Sequence, residues 1–137
     1  MLRVALVALA ALALVLAAAS APAAGRDEAQ RGPLVVYTRT GGLIGVQDSM
    51  RVSPTGTVSS TNGNFRLSAK RLATLRERLR AARFPSLKRV YGTPVADGFV
   101  HGVTYGGRKV LVNENAEAPL RLRRVLQLVR EIFGRRG

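Results

Sequence analysis

A chain of 137 residues has room for one domain and little more. It holds no cysteine, one histidine and no tryptophan, which excludes disulfides, thiol chemistry, cysteine metal sites and a multi-histidine zinc site. Its 22 Lys and Arg against 8 Asp and Glu give a formal net charge of +14, a balance that favours anionic partners.

The chain opens with Arg3 and an unbroken apolar run, Val4 to Ala19, followed by small residues through Ala24. A charged start, a short apolar core and a small-residue exit form the layout of a secretory signal. A membrane-spanning helix needs about 20 apolar residues, so a retained anchor is the weaker alternative. Residues 1–23 are read as a signal peptide, cut after Ala19 or Ala23, leaving no transmembrane segment and a secreted or otherwise extracytoplasmic protein. With no cysteine at the exit, a lipoprotein anchor is excluded. Residues 24–33, with Gly32 and Pro33, read as a flexible lead-in, and residues 34–134 as one domain. In residues 26–137, 43 of 112 side chains are apolar, enough for a packed core.

Leu34 to Tyr37 is a β-branched and aromatic run, read as a strand that Gly41-Gly42 interrupts. Ile44, Val46, Met50 and Val52 share one parity, as a half-buried strand over residues 43–52 requires. Pro54 and Gly56 mark a turn, Thr57 to Ser60 a short third strand, and Asn62-Gly63 another turn. Ser68 is a candidate N-cap. Leu72, Leu75, Leu79 and Ala82 then recur at helical spacing until Pro85. Residues 86–97 read as a loop or a short helical turn. Phe99, His101, Val103 and Tyr105 alternate along a strand, Gly106-Gly107 makes a hairpin, and Arg108 to Asn113 returns. After a polar loop, Pro119 opens a helix carrying Leu122, Val125, Leu126, Val129, Ile132 and Phe133 on one face, which Gly134 ends. The expectation is an α+β domain: a two-layer arrangement of an antiparallel sheet of four to five strands and two amphipathic helices.

Catalytic chemistry finds little support. His101 lies four residues after Asp97, but no Gly-x-Ser-x-Gly elbow accompanies them, and the parity of His101 marks it as a strand residue with a structural role. Glu114 and Glu117 flank a loop, with no cleft indicated between them, and no calcium-loop pattern occurs. The chain is read as non-catalytic, with no cofactor and no metal. Residues 68–83 and 119–137 each carry six basic residues and one Glu. The two helices therefore hold most of the positive charge, with Arg78, Arg80, Arg123, Arg124 and Arg130 as candidate contacts for anionic polymers. No recognised nucleic-acid motif or interleaved aromatic platform is present, so no specific nucleic-acid partner is expected.

Several segments occur in a telling succession. A strand ends in Thr38-Arg39-Thr40-Gly41-Gly42-Leu43-Ile44-Gly45, and a helix closes in Ala82-Arg83-Phe84-Pro85-Ser86-Leu87. Pro94 and Asp97 lead into a strand with Tyr105, a hairpin follows, then a basic strand from Arg108 to Val112, Pro119 and a closing helix. This succession, over roughly residues 34–133, resembles the emfourin family, small bacterial proteins named for an inhibitor of protealysin, a thermolysin-like zinc metallopeptidase. The resemblance implies a protein inhibitor that presents a rigid loop to the peptidase cleft. Gly41 and Gly42 would form the loop. Leu43 or Ile44 would offer the bulky apolar side chain such enzymes favour after the scissile bond. Asn113, Glu114 and Asn115 would add polar contacts or a carboxylate near zinc. The alternative from another class is a cationic extracytoplasmic module that binds anionic envelope polymers or lipid headgroups.

Overall fold

A computed structural model describes residues 31–135. The signal peptide and most of the lead-in expected over residues 1–30 lie outside the described residues. The domain is α+β. Its seven strands are β1 (Val35–Gly41), β2 (Val46–Val52), β3 (Thr57–Ser60), β4 (Gly63–Arg66), β5 (Val90–Tyr91), β6 (Phe99–Tyr105) and β7 (Arg108–Asn113). The helices are α1 (Ala69–Ala81) and α2 (Leu120–Phe133). The spatial order is β4-β3-β2-β1-β6-β7-β5, and every pairing is antiparallel except β5 with β7.

The sheet is wider than the four to five strands expected. The two unforeseen strands, β4 and β5, are the shortest-patterned. Gly63–Arg66 offers only Phe65 as a core side chain, and Val90–Tyr91 is a two-residue bridge between polar neighbours. Val46 rather than Leu43 begins β2, so Ile44 leaves the strand parity and stands on the turn.

Alternation decides which face is covered. On one face Val35, Tyr37, Met50, Val52, Val58, Val103, Val110 and Val112 are buried with the helices. The opposite face carries Thr38, Thr40, Gln47, Ser49, Arg51 and Lys109, and no helix of the described residues covers it. The Oγ of Ser68 accepts from the Arg71 N–H at 3.2 Å, capping α1 as its sequence requires. Helix α2 buries the full apolar stripe read from the sequence, together with Leu128. Phe84 packs edge-to-face on Tyr105, and Phe133 does so on Tyr37, with ring centroids 5.2 and 5.7 Å apart.

Several arginines act as staples. The Arg78 guanidinium donates to the Arg124 carbonyl (3.2 Å), and Arg121 donates to the Ala82 carbonyl (2.9 Å), tying α1 to α2. Arg108 donates to the Leu87 carbonyl at 2.6 Å. Part of the positive charge of the chain is therefore spent on backbone carbonyls, two of them, Ala82 and Leu87, at helix ends.

Candidate functional site

The covered face of the sheet is built in cross-strand rows. The row Met50–Tyr37–Val103–Val110 is wholly buried. The next row toward the β1–β2 turn is Asp48–Arg39–His101–Val112, and the last brings Val46, Gly41 and Phe99 into line. In the row from Asp48 to Val112 charged and polar side chains replace apolar ones, with Val112 still buried at its end. Arg39 donates to Asp48 Oδ2 from Nε (3.0 Å) and from Nη2 (2.5 Å). Its guanidinium also lies over the rings of Phe99 and Phe133, 5.2 and 5.4 Å from their centroids.

The Tyr37 hydroxyl and His101 Nδ1 share a hydrogen bond of 2.8 Å, with the two rings near parallel. Burial lowers the His101 pKa from its ordinary 6.5, and the positive charges of Arg130 and Arg39 lower it further. Burial raises the Tyr37 pKa. His101 is therefore neutral in the folded protein at neutral pH. As pH falls through about 6.5 the unfolded chain gains a proton that the folded one resists, so stability is present above that pH and drops below it. His101→Gln is expected to flatten the dependence of the urea midpoint on pH between about 5 and 7. An unchanged slope would assign the acid sensitivity to other groups.

Above this polar row lies a cleft of about 1000 Å³. Its floor is Tyr37, Arg39, Phe99 and His101, and its wall is the face of α2 bearing Arg123, Gln127 and Arg130. Glu114 to Ala116 close one end, and Asn62, whose amide donates to the Phe133 carbonyl at 2.9 Å, closes the other. Among the described residues no serine, threonine or lysine lines the cleft. Among the described residues no three His, Asp or Glu side chains gather as a metal site requires.

The loop candidates from the sequence meet at this same end of the sheet. Gly41 ends β1, and the turn itself is Gly42-Leu43-Ile44-Gly45, closed by the Gly45 N–H donating to the Gly42 carbonyl (3.2 Å). The Gly42 N–H donates to the Gly98 carbonyl (3.2 Å), which pins the turn to the start of β6. Leu43 and Ile44 occupy the two corner positions and are 86% and 89% exposed. Gly41 has φ +110°, and a Cβ there would stand 2.3 Å from the Gly98 carbonyl oxygen, a backbone atom. Gly41→Ala is expected to destabilise the domain by about 2 kcal/mol, read as a lower urea midpoint. An unchanged midpoint would show that the turn is not pinned.

The second loop divides by residue. Asn113 is 4% exposed, and its amide donates to the carbonyls of Tyr91 (3.1 Å) and Gly92 (3.2 Å). It anchors the approach to β5 from the base of the cleft, which it also lines. Glu114 accepts the Phe99 N–H at 2.9 Å, while the Phe99 carbonyl accepts the Glu114 N–H at 2.9 Å. Its carboxylate thus locks the cleft rim to β6. Asn115, with φ 63°, is exposed at the loop tip. The basic candidates divide too. Arg78 is held by α2, Arg80 and Arg124 stand exposed on the helices, and Arg123 and Arg130 line the cleft.

Sequence reasoning missed Tyr37, Arg39 and Gln127 as site residues. A signal existed for Arg39 and Asp48: each occupies a core parity position of its strand, which a charged residue takes only where the core ends. The fold and the cleft define a class, a two-layer α+β domain with an apolar turn and a basic cleft at one end of its sheet. Beyond that class, comparison with known proteins gave no match to a family model, a curated protein or a solved structure.

Proposed function

We propose that this domain is an exported, non-catalytic binding protein of the emfourin type, which inhibits a thermolysin-like zinc metallopeptidase by presenting the Leu43–Ile44 turn to its cleft. The observation that carries this reading is a pair of adjacent apolar side chains held almost fully in water on a turn clamped at both ends. A turn already fixed by Gly42 and Gly45 loses little conformational entropy on binding, which is the requirement for a tight protein inhibitor. Leu43 or Ile44 supplies the bulky apolar group that the resemblance implies such a peptidase accepts. Asn115 and the cleft rim lie at the same sheet end and extend the contact area.

Peptide cleavage by a panel of thermolysin-like peptidases, with and without the protein at low and moderate salt, tests this reading. Inhibition that persists at moderate salt is expected of an apolar anchor. The exposed Arg80 and Arg124 favour a second reading, a cationic module for anionic envelope polymers or lipid headgroups. Absence of inhibition together with retention on an anionic polymer that salt abolishes would establish that reading instead.

A further inference from the structure

The carboxylates around the cleft already have partners. Asp48 is held by Arg39, Glu131 pairs with Arg71 at 3.9 Å, and Glu114 accepts the Phe99 N–H. Arg123 and Arg130 also face the cleft, and neither makes an ion pair or a side-chain hydrogen bond among the described residues. The cleft therefore presents two guanidinium groups with no ion-pair partner, against one carboxylate, that of Glu114, which no cation among the described residues offsets. Seven residues apart on α2, the two arginines share a face and lie about 10.5 Å from one another along the axis. Two carboxylates three residues apart on an extended, polyproline-like segment point to the same side at about 9 Å. Between the two arginines Gln127 offers an amide, and at the rim Asn115 offers another. The rings of Phe99 and Phe133 are occupied by the Arg39 guanidinium, so no free aromatic face awaits a nucleotide base.

We propose that the cleft between α2 and the β1–β6 end of the sheet binds an extended acidic peptide segment of the partner protein, with Arg123 and Arg130 each receiving one carboxylate. The proposal rests on the reading of this sheet end as a protein-docking surface and adds the chemistry of the second contact. The Leu43–Ile44 turn meets an apolar pocket, and an acidic strand beside that pocket lies along α2.

The test uses the purified protein and a capped hexapeptide with glutamates at its second and fifth positions and prolines between them. A glutamine version of the peptide and inorganic phosphate serve as the other probes. Binding of the acidic peptide is expected to shift the amide resonances of Gln127 and Arg130 and to raise the His101 pKa, since negative charge arrives beside the ring. Arg123→Gln and Arg130→Gln are each expected to weaken binding at least fivefold, whereas Arg80→Gln leaves it unchanged. Equal binding of the glutamine peptide overturns the proposal. So do shifts confined to α1 with an unmoved His101 titration, or phosphate binding as tightly at the same residues. Leu43→Asp leaves peptide binding intact. Wild-type protein that binds the peptide but inhibits no peptidase of the panel therefore counts against the turn alone, and inhibition without peptide binding counts against the cleft alone.

Discussion

Val129→Asp is expected to remove a large part of the stability of the domain. Val129 is 0% exposed in the middle of α2, on the stripe with Leu122, Val125, Leu126 and Ile132 that seals the sheet. Truncating such a side chain to alanine costs about 2 kcal/mol. A carboxylate there adds desolvation of a charge with no cation in reach, which takes the total beyond about 4 kcal/mol. A single domain of this size carries only about 5–15 kcal/mol of stability, and each kcal/mol is about 4–8 °C of melting temperature. With no disulfide available, nothing covalent offsets the loss. Arg124→Ala, on the exposed side of the same helix, is expected to change stability by about 0.5 kcal/mol or less. Urea midpoints of the two variants provide the check. Comparable midpoints would mean that the buried and exposed faces of α2 are exchanged.

Leu43→Asp is expected to leave the fold untouched and to weaken the peptidase complex by about 2 kcal/mol or more, roughly thirtyfold or greater. Leu43 touches almost nothing within its own chain, so its substitution has little folding cost to confuse the reading. Burial of a leucine on docking is worth about 1.5–3 kcal/mol, and a carboxylate forced into the same pocket is desolvated without a partner. Arg123→Ala acts differently. As a rim charge, it is expected to slow association at low salt more than it speeds dissociation. Inhibition constants and progress curves separate the two effects. An unchanged inhibition constant for Leu43→Asp would remove the turn from the interface.

The residues that made the fold legible are those whose burial follows one periodicity. Leu122 through Phe133 repeat at helical spacing, Phe99 through Tyr105 alternate, and both became the elements they promised. Gly106-Gly107 joined β6 to β7 with positive φ at both residues, as a two-residue hairpin requires. The strands that escaped notice, β4 and β5, owe their existence to neighbours. Val90–Tyr91 is fixed by pairing with Leu111 and Val112, and Asn113 holds it through side-chain hydrogen bonds, interactions with no local signature. The cleft was illegible for the same reason. Tyr37, Arg39, His101 and Arg130 come from three elements up to 93 positions apart in the sequence. Only the register of β1 on β6 and the packing of Phe133 on Tyr37 bring them together. The turn was partly legible. Gly41-Gly42 announced a break in the chain, but the pairing of Gly42 with Gly45, which puts both Leu43 and Ile44 at its corners, depends on where β2 resumes.

On the proposed function, this end of the sheet, and not the outer helical surface, meets the partner. Amide hydrogen exchange of the protein alone and mixed with the most strongly inhibited peptidase of the panel tests it most directly. Slowed exchange is expected at residues 42–45 and 114–116 and along the cleft face of α2, with α1 unaffected. Slowing confined to the outer surface around Arg80 and Arg124, or no slowing anywhere, would contradict the account.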